Sequence, residues 1–324
     1  MEEREGRYIN PYTDYGFKYL FGTEPNKEFT LALLNALLRG KETIKSLTLI
    51  PSEQLGDTKE DRRAVFDVYA ENERGERIII EMQKADQQYF KDRSVYYSSF
   101  PIRSQGEKGR WRFGLKAVYT IGILDFVFDE DKDDEEYYHH EVKLMDVRKK
   151  EVFYDNLTYI YLEMPKFRKT EAELETLFDK WLYALKNLPR LLERPAALQE
   201  RIFKKFFDVA ETANLSKEEY VKYWESEKNY YDLDGAFRTA NYRGFTRGME
   251  RGMEKGRAEG RAEGRAEGRA EGLAEGVKQG RMEGHAEGEN DKAMSIARAM
   301  KEGGMPVEQI RLYTGLTLDA IAAL

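Results

Sequence analysis

Residues 65–83, VFDVYAENERGERIIIEMQ, set two runs rich in β-branched and aromatic side chains, Val65 to Tyr69 and Ile78 to Gln83, either side of a polar stretch with one glycine. That pattern predicts a β-hairpin. A three-residue loop, Glu73-Arg74-Gly75, with Gly75 in the φ > 0 position such loops require, pairs Asn72 with Glu76 and puts Asp67 opposite Glu81. Directly opposed residues share a face and lie about 5 Å apart at Cβ. Alternation with period two adds Gln83 to the same face. A two-residue loop, Glu73-Arg74, would instead set Asp67 opposite Ile80 and scatter the three polar groups.

Two carboxylates this close, in strands otherwise so apolar, repel each other unless a cation or a shared proton compensates them. Oxygen-only ligands suit Mg²⁺ or Mn²⁺. The plainer alternative is the wet face of a hairpin, with Asp67, Glu81 and Gln83 in water.

Around the hairpin the pattern mixes helices and strands. Asn26 to Leu38 reads as a helix capped by Asn26, with Phe29, Leu33, Leu34, Leu37 and Leu38 as its apolar stripe. Ile44 to Ile50 alternates as a strand. A helix over about 86–100 carries Tyr89, Arg93, Tyr96, Tyr97 and Phe100 at helical spacing, and strands follow at Lys116 to Phe126, Glu141 to Val147 and Leu157 to Glu163, closed by Pro165. From about Thr170 only helices are expected. Leu174, Leu177, Phe178, Trp181, Leu182 and Leu185 stripe one, Leu198, Ile202, Phe206 and Val209 another, and Ser216-Lys217-Glu218-Glu219 offers a capping box to a third.

From Gly244 to Gly288 glycine occupies every fourth position, twelve in all, mostly as Gly-Arg-Ala-Glu. Each glycine costs a helix about 1 kcal/mol relative to alanine. In a four-residue repeat Arg and Glu are offset by two, so opposite charges never fall at i,i+3 or i,i+4, while like charges do stack at i,i+4. An isolated helix is therefore expected to be marginal. Self-association through close-approaching glycine rows is favoured over a flexible tether. Beyond the repeat, helices are expected at Asp291 to Lys301, Val307 to Tyr313 and Leu318 to Leu324, a small assembly module.

Composition narrows the function classes. The 324 residues, 41% hydrophobic, support a sizeable core, and the absence of cysteine removes disulfides and thiolate metal sites. A net charge of −7 means that contact with nucleic acid must come from local basic groups. Lys91, Arg93, Arg103, Lys108, Arg110 and Arg112 cluster after the hairpin. His139 and His140 follow an acidic loop and are expected to be exposed, which leaves serine and zinc hydrolases without support. No run approaches the ~20 apolar residues that span a bilayer, and a soluble, cytoplasmic protein is expected.

Asp67, a turn, then Glu81-Met82-Gln83 resembles the PD-(D/E)XK nuclease core in its Glu-x-Gln variant, and specifically the recombination-promoting nuclease and putative transposase family. Asp14-Tyr15-Gly16-Phe17-Lys18-Tyr19-Leu20-Phe21-Gly22, Tyr89-Phe90 with Arg93 and Tyr96-Tyr97, Gln105, and the run Lys116 to Leu124 follow in that family's order. The resemblance implies a restriction-endonuclease-like α/β fold, a mixed sheet flanked by helices, over residues 1–165, followed by a helical region (166–240), the repeat (241–290) and the terminal module (291–324).

It also implies a Mg²⁺- or Mn²⁺-dependent endonuclease acting on double-stranded DNA in recombination or mobile elements. Asp67 and Glu81 would hold the ion beside the carbonyl of Met82, with Asp14 as an auxiliary acid. For Asp14 the helix N-cap is the competing role. Gln83 stands where the parent motif has lysine, and its amide carries no charge and cannot serve as a base near neutral pH. Lys84 points to the opposite strand face. Arg93, Arg103 and Lys91 become the candidates for phosphate contact, and homo-oligomerisation is assigned to the 244–288 repeat. The competing expectation keeps the fold without turnover, as an oligomeric scaffold or DNA-binding module.

Overall fold

The computed structural model describes residues 6–38, 43–54, 64–84, 89–107 and 112–324. Contacts divide the chain into Met1–Ala236 and Phe237–Leu324.

In the first unit, α1 (Asp14–Phe21) and α2 (Lys27–Leu37) precede the strands. Phe17, Leu20 and Phe21 of α1 are buried, and so are Phe29, Leu33, Leu34 and Leu37 of α2, part of the stripe the spacing predicts for that helix. Asn26 sits at the α2 N-cap but makes no capping bond; its amide donates to the Tyr19 carbonyl. The expected strand at 44–50 shortens to β1 (Leu47–Leu49), because the backbone of Ile44 bonds in both directions to the Asn35 side chain instead of to a strand.

After the two-residue strands β2 (Glu53–Gln54) and β3 (Ala64–Val65), which pair with each other, come the hairpin strands β4 (Val68–Asn72) and β5 (Arg77–Gln83). The helix predicted over 86–100 is α3 (Phe90–Arg103), which runs on through Pro101; residues 86–88 lie outside the described residues. The strands β6 (Val118–Leu124), β7 (His139–Asp146) and β8 (Glu151–Glu163) follow. Among the described residues six strands form one sheet in the order β1-β4-β5-β6-β8-β7, parallel for β5-β6-β8 and antiparallel at the other pairings. Every residue of β6 is buried, as a central parallel strand covered on both faces requires. β8 starts earlier than predicted because its first residues pair only with β7, and one-sided pairing leaves little hydrophobic pattern to read; β7 also starts earlier, at His139, which pairs with Leu162.

Two helices complete this unit's core: α4 (Leu177–Asn187), capped by a reciprocal Thr176–Asp179 box, and α5 (Arg201–Ala210). Their Trp181, Leu182, Phe203 and Phe206 belong to the same apolar cluster as Phe21, Leu33, Ile78, Ile80, Met82 and Ile121. The opposite sheet face, with Tyr69 and Ile79, packs on Phe100 of α3 together with Phe66. One face of β5 thus meets α1, α2, α4 and α5, and the face bearing Ile79, Glu81 and Gln83 meets α3.

The Ser216–Glu219 box opens α6 (Lys217–Glu302), which continues unbroken through the glycine repeat. The separate helix expected to begin at Asp291 is therefore the last part of α6; no proline or left-handed residue interrupts the chain there. In the second unit Ala297 packs on Ile310 of α7 (Val307–Thr314) and Ile321 of α8 (Leu318–Ala322). A methyl group added at any of the repeat glycines would meet no atom within 4 Å beyond the helix's own backbone, among the described residues. Replacing Gly260, Gly264, Gly268 and Gly272 by alanine should therefore strengthen this helix by about 4 kcal/mol in total, seen as a higher-melting helical circular-dichroism signal. Weakened self-association in the same variant would instead mark these glycines as a packing seam. Among the described residues no helix is long and apolar enough to cross a membrane.

Candidate functional site

The loop takes the three-residue form. Gly75 has φ +77°, and the Asn72 amide donates to the Glu76 carbonyl at 3.1 Å. The Asn72 side-chain oxygen accepts from both Arg74 and Glu76 N–H at 3.0 Å, tying the loop shut from within. The ladder runs Val68↔Ile80, Tyr69↔Ile79, Ala70↔Ile78, and just beyond its end Asp67, in the bend before β4, meets the Glu81 side chain.

The two acids are linked through the backbone. Met82 N–H donates to Asp67 Oδ2 at 2.8 Å, and Asp67 N–H to Glu81 Oε1 at 3.4 Å. Gln83 joins as its strand position predicts, its amide nitrogen 3.3 Å from Glu81 Oε2. The Gln83 carbonyl accepts from Asp125 N–H on the β6 side. Alternation along the strand then turns the Met82 carbonyl toward the Asp67 edge. The wet-face alternative does not survive: Glu81 is only 7% exposed and the Asp67 side chain 17%.

Burial raises both carboxyls above the ordinary carboxylate range. For Asp67 the Met82 N–H and the Lys18 ammonium oppose the rise; for Glu81 the Asp67 charge adds to it and Arg93 opposes it. The arrangement stores a like-charge conflict that a proton or a cation relieves.

α1 brings Asp14 to the same place. Thr13, not Asp14, caps α1, accepting Gly16 N–H at 3.0 Å, so the N-cap role for Asp14 is excluded and its carboxylate is left for other contacts. Asp14 Oδ1 lies 2.5 Å from Lys18 Nζ, and the same ammonium is 3.9 Å from Asp67 Oδ1. Asp14, Lys18 and Asp67 line a cleft of about 820 Å³, with Asn26, Ser52 and Lys222 farther along it. Lys18 is the site residue that sequence reading passed over. Its i,i+4 spacing from Asp14 was visible, but its approach to Asp67, 49 positions away, was not.

The basic residues divide. Arg93, in the first turn of α3, shares a narrow pocket with Glu81, Tyr97 and Thr120. Lys91 is turned away, paired with Glu130 and lying 4.2 Å over the Phe128 ring. Arg103 ends α3. Lys108 and Arg110 lie outside the described residues. Lys84 keeps to the other face, as read, 3.7 Å from Asp234 and over the Tyr230 ring.

His140 contradicts its expected exposure. It belongs to β7, only 12% exposed at the side chain, with Nε2 3.4 Å from Glu163 Oε2 and 3.9 Å from Asp131 Oδ2. These three residues have the ligand types and mutual reach of a metal site. Glu163 is already compensated, however, by Lys166 Nζ at 2.6 Å and by Phe128 N–H at 2.7 Å. The group therefore reads as a buried ionic clasp at the β7–β8 end of the sheet. Sequence reading missed it by starting β7 two residues late.

Compared with known protein families, the chain matches the one described as PD-(D/E)XK nuclease family transposase over residues 11–240, a span that includes Asp14, Lys18, Asp67, Glu81, Gln83 and Arg93. No curated protein and no solved structure matches it.

Proposed function

The chain belongs to the PD-(D/E)XK nuclease family transposases, and from that premise we propose that it is a Mg²⁺- or Mn²⁺-dependent endonuclease that hydrolyses phosphodiester bonds of double-stranded DNA in recombination or mobile-element processes. The observation that carries this reading is the pair of buried acids, Asp67 beside Glu81, both held above the usual carboxylate range. A hard divalent cation fits that donor set, because every available donor is oxygen and a cation would displace the proton each raised carboxyl holds and compensate both charges at once. Asp67, Glu81 and the Met82 carbonyl would hold the ion, with Asp14 as an auxiliary acid. When bound, the ion supplies charge stabilisation and an acidified water.

The protein's own groups do the rest. Met82 N–H fixes the Asp67 carboxylate in place. Gln83, anchored on Glu81, presents an amide that orients water or a phosphate oxygen without accepting the proton. Arg93 lies within electrostatic reach of both acids and is the best placed of the basic residues to meet phosphate. Arg103 would extend that contact along the backbone of the duplex, and Lys91 would join only by leaving Glu130. The 244–288 repeat would join copies of the chain.

Nicking of supercoiled plasmid in Mg²⁺ or Mn²⁺ by the wild type, and its loss in Asp67→Ala and Glu81→Ala, is the expected result. DNA retention without cutting in either metal would replace the enzyme by a DNA-binding scaffold that keeps the fold.

A further inference from the structure

Gln83 leaves the acid-bearing end of the strand pair without a positive charge of its own, yet in the cleft that Asp67 lines Lys18 brings one close to that acid. α1 presents Lys18 there by constraint. The Thr13 cap sets where the helix starts. Gly16 lets it lie against the preceding turn, since a Cβ there would be 2.2 Å from the Asn10 carbonyl. Burial of Phe17, Leu20 and Phe21 fixes its rotation. Asp14 and Lys18, four apart, then share the remaining face at the cleft. An i,i+4 ion pair on a helix is common and by itself indicates nothing. The unusual element is the third partner: the ammonium that Asp14 holds at 2.5 Å is also 3.9 Å from Asp67, a buried acid in the bend before β4, 49 positions along the chain.

We propose that Lys18 is a catalytic residue of the nuclease reaction, its ammonium contacting a non-bridging oxygen of the scissile phosphate and supplying from α1 the charge that Gln83 does not supply from β5. The inference rests on the endonuclease reading. In the step it serves, a water oxygen bonds to phosphorus and one P–O ester bond breaks, its electron pair leaving on the ester oxygen. The water gives up one proton to solvent and the ester oxygen takes one up. Lys18 keeps its three protons and acts by charge and hydrogen bonding as negative charge gathers on the phosphate oxygens. Asp14 is then a positioning residue, since it keeps the flexible lysine side chain aimed into the cleft.

The test is single-turnover nicking of supercoiled plasmid across a Mn²⁺ titration, with melting temperature and DNA affinity measured on the same proteins. Lys18→Gln should lose roughly a hundredfold to a thousandfold in rate. Its half-saturating Mn²⁺ concentration, DNA affinity and melting temperature should stay close to those of the wild type. Lys18→Arg, which restores the charge, should keep a tenth or more of the wild-type rate. Cutting by Lys18→Gln within threefold of the wild type overturns the inference and leaves the nuclease reading standing. So does a rate loss that excess Mn²⁺ fully repairs, since Lys18 would then only organise the acids. A wild type that cuts with neither metal removes the nuclease reading and this inference together.

Discussion

Glu81→Gln is expected to abolish metal-dependent nicking, by about 10³-fold or more, and at the same time to raise the melting temperature of the metal-free protein at alkaline pH. The activity loss follows from removing one of two acids that meet at the end of the hairpin. A thousandfold loss corresponds to about 4 kcal/mol of transition-state stabilisation. The stability gain follows from the same pairing. Burial and the neighbouring Asp67 charge raise the Glu81 carboxyl, so the folded chain holds a proton that the unfolded chain has released. Stability from such a group is complete below the ordinary carboxylate range near 4 and falls as pH rises through the raised value.

Glutamine mimics the protonated acid at every pH, and Gln83 can turn its own amide to present oxygen to it. Melting curves of both proteins in EDTA at pH 5, 7 and 9 should show the variant gaining on the wild type as pH increases. A gap that narrows with pH would contradict a raised pair. Divalent metal should reverse the ranking. At a hundredfold excess over Kd it adds about 2.7 kcal/mol to the wild type, roughly 5–10 °C for a unit of this size, and little to the variant. Because the ion displaces protons, its affinity should increase with pH.

A chain ended after residue 165 should not fold. The strand and hairpin signals stop there, which makes 1–165 look like a complete domain, but the apolar cluster does not stop. Trp181 is 1% exposed, with its ring 4.8 Å from Phe203, 5.2 Å from Phe206 and 6.0 Å from Phe21 of α1. Trp181, Leu182, Leu185, Leu188, Phe203, Phe206 and Phe207 are all buried. At about 1.5–3 kcal/mol each, their burial is worth on the order of 10–20 kcal/mol, more than the whole net stability of an ordinary domain, about 5–15 kcal/mol. The truncated chain should be insoluble or lack a cooperative melt. Trp181→Ala in the full chain should still fold but lose about 3–5 kcal/mol. A soluble 1–165 fragment with a sharp transition would show that α4 and α5 are dispensable.

The hairpin was legible because its determinants are close in sequence. Gly75 in the loop and alternation on either side set the register, and that register brings Asp67, Glu81 and Gln83 together. The α2 stripe and the Ser216 box were legible for the same reason. Where a side chain reaches outside its own element the reading failed. The Asn35 side chain takes over the backbone of Ile44 and shortens β1. His140 turns inward to Glu163, 23 positions away.

The order of residues in this chain determined, on its own, the period of the helices and strands, the hairpin loop and the Ser216 cap, because hydrogen bonding and steric exclusion act over a few residues along the backbone. It also determined which acids share a strand face. Only the tertiary structure decided that these acids are buried, that α1 sets Lys18 against Asp67, and that α4 and α5 close the core beneath the sheet. Those outcomes depend on desolvation and charge proximity across space, which the linear spacing of residues does not encode.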